Sequence, residues 1–232
     1  MTRRTRKKAR TKRRFFGLAV LLLLVVTLAY ALGWTSLFTV KQVQVVGAPT
    51  LLQSKLIKET IKVGEKMARL ETRALSNSLK KYSWLDHAQI SRDWLKGSVT
   101  IHVWTRTPVA VFRSRLIDRN GVLFELPNDQ VLQMPQITAV TFASAKLAVE
   151  LLLDLPTKFR ADVLNVRMQG SHTAILTVHT MLLNPSRNVN VIWGDLTDTK
   201  LKIRVFNALL SLSENAKVQT VNVSAPHAPI VK

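Results

Sequence analysis

Between Phe15 and Val40 the chain runs through 26 residues without a charged side chain. A helix rising about 1.5 Å per residue covers ~30 Å of hydrocarbon in about 20 residues, so this run is long enough to span a bilayer. Leu, Val and Ala dominate Leu18 to Leu32, and Tyr30 and Trp34 stand at the far end, where aromatic rings favour the membrane–water interface. On the near side, MTRRTRKKARTKRR holds nine Lys or Arg among fourteen residues and no acid. Cations beside a span keep that end in the cytoplasm, and Arg10, Lys12, Arg13 and Arg14 lie closest to it. The pattern predicts a cytoplasmic tail over 1–14, a transmembrane helix over 15–35, and everything beyond on the outer side of the cell membrane.

A cleavable signal peptide is the rival reading, because Ala29-Tyr30-Ala31 has the small-x-small form of a cleavage site. Signal cores usually run to about 7–15 residues, and this apolar stretch is longer. A helix apolar on all sides at this length also suits a soluble core poorly. The basic run has the charge to hold a nucleic-acid backbone. Its place against the apolar run makes topology the stronger explanation, with roughly 1 kcal/mol of attraction to anionic lipid per cation. Nucleic acid is therefore not an expected partner.

After the span, the pattern divides in two. FTVKQVQVVG (38–47) reads as a strand closing on Gly47. Thr50-Leu51-Leu52-Gln53 has capping-box form, with Leu52, Leu56, Ile57 and Ile61 at helical spacing before Gly64. A second helix fits Thr72 to Tyr82. Ala88, Ile90 and Trp94 then alternate with polar residues, Lys96-Gly97-Ser98 turns, and Val99, Ile101 and Val103 alternate again. The first outer domain, 38–106, is thus strand, helix, helix, strand, strand, with both helices on one face of a three-stranded sheet.

Pro108 marks a boundary, and a second domain, mixed α/β and rich in strands, is predicted over 107–225. Asn120-Gly121 between apolar runs signals a hairpin. Phe142, Ala145, Val149, Leu152 and Leu153 form a helix ended by Pro156. Strands follow at 163–168, 174–182 and 189–194. Leu201, Val205, Leu209 and Leu212 make a helical stripe that Thr197 or Asp198 would cap. A last strand covers 218–224, and 226–232 is a short tail. The fold class is α+β.

No chemistry is signalled. Cysteine is absent, which removes thiolate and disulfide roles. There is no His-Glu-x-x-His or Gly-x-Ser-x-Gly motif, and the glycines are too scattered for a phosphate-binding loop. Asp86, Asp93, Asp118, Asp195 and Asp198 fall at turns and element ends, where Asp caps backbone N–H groups. His172 and His179, seven apart, would face opposite ways on one strand. Catalytic, cofactor and metal sites are each expected to be absent. Trp84, Trp94, Trp104 and Trp193 read as core or interface residues rather than stacking platforms. The net charge is +20, and the chain beyond residue 14 keeps +11 of it, a solvated cationic surface or an attraction to anionic envelope polymers.

The layout, together with FTVKQVQVVG, TRTPVAVF (105–112), LIDRNGVLFE (116–125), MPQI (134–137), VIWGDLTDTKLKIRVFNALL (191–210) and VQTVNVSAPHAPIV (218–231), resembles the FtsQ/DivIB family of bacterial cell-division proteins. Two positions depart from the family pattern: Thr105 stands where an acid commonly precedes Arg-x-Pro, and Asn222 where the closing motif often has Asp. The resemblance implies a POTRA domain over 38–106 and a β domain over 107–225. It also implies a non-enzymatic scaffold at the division septum that recruits bitopic coiled-coil partners of the FtsB/DivIC and FtsL types. It places partner binding on the last strands. There an open edge at Val218 to Ser224 would accept a partner strand, Thr220, Asn222, Ser224 and Ala225 would be contact positions, and Pro226 and Pro229 would limit the pairing. The competing functions are an envelope assembly or transport factor docking through its POTRA domain, and a binder of envelope polymers.

Overall fold

The structure is a computed structural model that describes residues 5–34, 38–127, 133–170 and 172–232. The first helix, α1, runs Thr5–Trp34 and so takes in much of the basic run. The side chains of Arg10, Lys12, Arg13, Arg14 and Trp34 lie outside the described set. Within residues 16–30 the leucines and valines are exposed, from 47% at Val20 to 69% at Leu22, and Tyr30 is 63% exposed. Thr27 donates its hydroxyl back to the Leu23 carbonyl at 2.8 Å, which satisfies it within the helix. At ~1.5 Å per residue, 16–30 rises about 22 Å, less than ~30 Å of hydrocarbon. Among the described residues, no helix is long and apolar enough to cross a membrane.

The chain forms two compact units, Met1–Thr105 and Arg106–Lys232. After α1 the first contains β1 (Gln42–Val46), α2 (Leu51–Lys58), α3 (Thr72–Ser78), β2 (Leu85–Asp93) and β3 (Ser98–Thr105). The sheet order is β1-β3-β2, with β3 parallel to β1 and antiparallel to β2. This is the expected strand-helix-helix-strand-strand unit. Alternation along β3 sends Val99, Ile101 and Val103 into the core with Val43, Ile57, Ile61, Met67 and Leu79. Thr50 caps α2 as expected, its hydroxyl accepting from Gln53 N at 3.2 Å.

Two helical expectations change. Ile57 and Ile61 are buried, but Leu52 and Leu56 are 64% and 39% exposed, because an eight-residue helix lying on a small sheet buries only one narrow stripe. The second helix stops at Ser78, and a 3-10 turn over Leu79–Lys81 follows, carrying Leu79 into the core.

The second unit contains β4 (Pro108–Phe112), β5 (Arg115–Asp118), β6 (Leu123–Phe124), β7 (Gln136–Thr138), α4 (Phe142–Asp154), α5 (Thr157–Ala161), β8 (Val163–Gln169), β9 (Thr173–Thr180), β10 (Arg187–Gly194), α6 (Thr199–Leu210), β11 (Thr220–Asn222) and β12 (Ile230–Val231). The strands form one sheet in the order β12-β11-β10-β9-β8-β7-β4-β5-β6. Its buried face, including Val166, Leu176, Val189, Val191 and Trp193, shares one core with Ala148 and Leu152 of α4 and Phe206 of α6. The predicted Asn120-Gly121 hairpin joins β5 to β6. Asp118 holds it, accepting from Asn120 N at 2.9 Å and Val122 N at 2.7 Å, while its second oxygen meets Arg106 at 2.6 Å.

The buried face of α6 lies one residue along from the predicted stripe. Lys202, Phe206 and Leu210 are buried, whereas Leu201, Val205 and Leu209 are half-buried and Leu212 is exposed. Lys202, 1% exposed, was invisible to a hydrophobic pattern. Its ammonium donates to the Asp195 carbonyl at 2.9 Å and to the Asp195 carboxylate at 2.6 Å, 5.8 Å from the Trp193 ring centre. Asp198 takes the N-cap position in a left-handed conformation and makes no side-chain cap bond.

The hydrogen bond from Lys202, followed by that from Thr197, holds the Asp195 carboxyl below the usual carboxylate range. A lowered folded-state pKa contributes stability above the unfolded carboxylate pKa, and that contribution is lost as pH falls through the folded value. The Tm advantage over Asp195→Asn is therefore expected to be full near neutrality and to close in acid, as calorimetry across pH checks. Lys202→Met, which keeps the buried stem, should stay within about 1.5 kcal/mol of the parent in urea denaturation. Lys202→Ala should lose about 2–5 kcal/mol.

Candidate functional site

The C-terminal end of the second sheet is built by a crossover. From β10 the chain passes through α6 and returns as β11 parallel to β10, pairing Asn190 with Thr220, Val191 with Val221 and Ile192 with Asn222. Such a return needs a connection of about a dozen residues or more, which a helix supplies. The link back to β11 is tied down by Asn215, which donates to the Leu209 carbonyl at 2.8 Å, and by Arg187, which donates to the Ala216 carbonyl.

Side-chain and backbone directions on β11 follow one alternation. Val221 and Val223 are fully buried, and Thr220 and Asn222 are half-buried on the opposite, open face. On the β10 side, the Gln219 carbonyl accepts from Asn190 N at 2.9 Å and Val223 N donates to the Ile192 carbonyl at 3.0 Å, while Gln219 N, just ahead of β11, donates outward to the Lys232 carbonyl at 2.9 Å. Thr220 exchanges both backbone bonds with Lys232, each 2.9 Å, so the even-numbered residues bond outward to β12.

This arrangement corrects the expectation of an open edge at Val218 to Ser224. The segment read as a tail over 226–232 turns back and covers β11. Asn222 ends the strand, its side-chain oxygen accepting from Ser224 N at 3.0 Å and Ser224 Oγ at 2.7 Å. Ala228 N then donates to the Ala225 carbonyl at 2.9 Å, and β12 pairs antiparallel with β11, Val231 opposite Val221 and Ile230 opposite Asn222. Pro226 and Pro229 bracket the turn before β12, which is two residues long.

Of the four expected contact positions, Thr220 and Asn222 lie on the open face of the sheet, and Ser224 and Ala225 are exposed in the following turn. They are close along the chain but none is on the sheet edge. The edge is β12. In an antiparallel ladder, hydrogen-bonded and non-bonded pairs alternate. Because Thr220–Lys232 is a bonded pair, Val231 is not bonded to β11, and its N–H and C=O point outward. Its side chain packs on the core, and Ile230 is 53% exposed on the open face. The β-branched pair Ile230-Val231 behind Pro229 was the sequence signal for this strand, though two residues are too few for a periodicity to register.

The other candidates are dispersed. Trp84 and Trp193 are buried, while Trp94 meets Phe38 edge-on at 5.9 Å. Trp104, 41% exposed, stacks on His87 at 4.3 Å. His172 falls just before β9, so the two histidines do not share a strand. Among the described residues no three His, Asp or Glu side chains are grouped to hold a metal ion.

Gly194 makes the close fit of β10 to the end of β11 possible. Its φ is +74°, and a Cβ there would stand 2.7 Å from Ser224 Cβ. Gly170 has φ +66° with open space around it. Gly170→Ala should thus cost only the left-handed backbone penalty, about 1–2 kcal/mol. Gly194→Ala should cost a further 1 kcal/mol or more, roughly the range of overpacking. Urea denaturation of the two variants side by side checks the difference.

Comparison with known proteins gives this geometry a family. Residues 38–104 match the POTRA domain of FtsQ type, and residues 109–224 match the C-terminal domain of cell division protein FtsQ/DivIB. Cell division protein FtsQ of Streptomyces bingchenggensis (strain BCW-1) is 27% identical over 224 residues, covering 89% of this chain and 80% of that protein. With both folded units matched in order, the chain belongs to the FtsQ/DivIB family of cell division proteins.

Proposed function

We propose that this chain is a single-pass, non-catalytic membrane scaffold of the division machinery, with its N-terminus cytoplasmic and its two folded units outside, at the septum. The 26-residue uncharged run supports the span. So does the exposure of the large apolar side chains of 16–30, which are not covered by other described residues. The nine cations ahead of the run support the orientation.

The observation that carries the scaffold reading is the short edge strand β12. It closes an otherwise fully paired sheet end and turns the Val231 N–H and C=O outward beside the exposed Ile230. A segment of an FtsB/DivIC-like or FtsL-like partner would add there as a further strand, held by main-chain bonds. Thr220, Asn222, Ser224 and Ala225 would then lie beside the added strand and its approach rather than beneath it, and recognise its side chains.

The backbone directions permit a narrow test. Val231→Pro removes the outward N–H yet spares the Ile230 and Lys232 bonds that hold β12 to β11, and proline is tolerated on edge strands. Capture of the coiled-coil partner by the full-length variant is expected to weaken roughly fivefold to tenfold, the worth of about one lost hydrogen bond and some steric obstruction. Unchanged capture by a variant of parental Tm would reject pairing at this edge.

A further inference from the structure

The first folded unit has a pole whose surface is both apolar and cationic. The turn between β2 and β3 places Leu95 at its tip, 93% exposed, followed by Lys96 with its side chain 81% exposed. The turn is braced from within, since Asp93 Oδ1 accepts from Leu95 N at 3.1 Å and Lys96 N at 3.0 Å. An apolar side chain is thus held out in water by a rigid turn. Beside it, Lys41 N donates to the Gly97 carbonyl at 2.7 Å, and a Cβ on Gly97 would stand 2.9 Å from the Lys41 side chain. The loop after α2 reaches the same pole, because Gly64 N donates to the Val40 carbonyl at 2.7 Å and Val40 N to the Glu65 carbonyl at 2.8 Å. That loop brings Lys62, exposed, and Val63, 66% exposed.

This is also the pole at which the chain arrives from α1. Trp34 and Phe38 are four Cα steps apart, so Phe38 lies within about 14 Å of the end of that helix. Phe38 is half-buried against Trp94 and carries the chain directly into the cationic cluster. We infer that the pole formed by Leu95, Val63, Lys41, Lys62 and Lys96 docks on anionic phospholipid headgroups, with the two apolar side chains entering the headgroup–acyl boundary and the ammonium groups meeting lipid phosphate. Charge selects this occupant, since Lys41, Lys62 and Lys96 outnumber the acids Asp93 and Glu65; Asp93 is engaged with its own turn through one oxygen and with Lys96 Nζ, at 3.8 Å, through the other. Exposed Leu and Val between lysines, next to aromatic rings, is the composition of an interfacial membrane contact. The short tether keeps the surface within reach. The inference rests on the membrane span proposed for α1, and its consequence is an outer unit held against the bilayer rather than swinging from it.

The absence of cysteine lets a single introduced thiol carry a unique probe. Full-length protein bearing Leu95→Cys, labelled with an environment-sensitive fluorophore, is reconstituted in vesicles of phosphatidylglycerol and phosphatidylcholine containing brominated acyl chains. Parallel labels go on Leu22→Cys, within α1, and on Leu51→Cys, 91% exposed beyond the far end of β1. Docking predicts strong quenching at 22 and 95 and little at 51. It also predicts a docked-to-free ratio lowered roughly fivefold by each of Lys41→Gln, Lys62→Gln and Lys96→Gln, and a larger decline, about the product of the three, in phosphatidylcholine alone. Quenching at 22 with none at 95, or equal quenching at 51 and 95, overturns the docking and leaves the span standing. No quenching at 22 overturns the span and the docking with it. Charge changes that leave quenching at 95 unaltered but weaken capture of division partners would make the pole a protein interface and likewise overturn the inference.

Discussion

The two-residue period of the second sheet is the constraint on which the C-terminal edge depends. Once Val189 and Val191 face the core, the parallel register commits Val221 and Val223 to the same side and Thr220 and Asn222 to the open side. The same alternation fixes the backbone. Odd residues of β11 are used by β10, even residues by β12, and the outward groups of Val231 remain for a further strand. A slip of one residue would exchange every one of these assignments. Burial of a few valines therefore decides which backbone groups the sheet edge leaves facing outward.

Charge is used locally in this fold, at the places where a turn or crossover must be held. The Arg106–Asp118 pair closes the β5–β6 hairpin, and Lys202 fastens the start of α6 to the end of β10. Both place an ionic group under cover with its hydrogen bonds met, which is the condition for tolerating buried charge. On the open face of the sheet the polar groups bond to each other, as Asn165 does to Thr138 at 3.1 Å and Thr177 to Asn190 at 3.2 Å. That face resembles an ordinary solvated surface, which leaves the short edge strand and the apolar-cationic pole of the first unit as the places where the molecule departs from one.

Much of the fold was legible because strong periodicities carried it. The alternation over 98–105, the hairpin at Asn120-Gly121 and the helix from Phe142 to Asp154 all stood in the sequence where the structure has them. The failures have a common cause. Leu52 and Leu56 fit a helical stripe, yet the sheet beneath α2 is too small to cover them. Lys202 belongs to a buried face, yet a scheme that counts apolar residues assigns it to water, and the predicted stripe moved by one position. The site was less legible than the fold. Thr220, Asn222, Ser224 and Ala225 were placed by family resemblance, whereas β12 was read as tail because two residues behind Pro229 carry no period.

The sequence by itself determined the family, the order of the two folded units, and the uncharged run with its cationic flank. Each of these is written in local composition and in patterns a few residues long. Tertiary structure decided which strand is the edge, which face of α6 is buried and which lysines share a pole with Leu95. Those outcomes depend on pairing between segments far apart in the chain: Val231 with Val221, Lys202 with Asp195, Val40 with Gly64. No local pattern encodes such a pairing, because its free energy exists only when both partners have been brought together and water has been removed from between them.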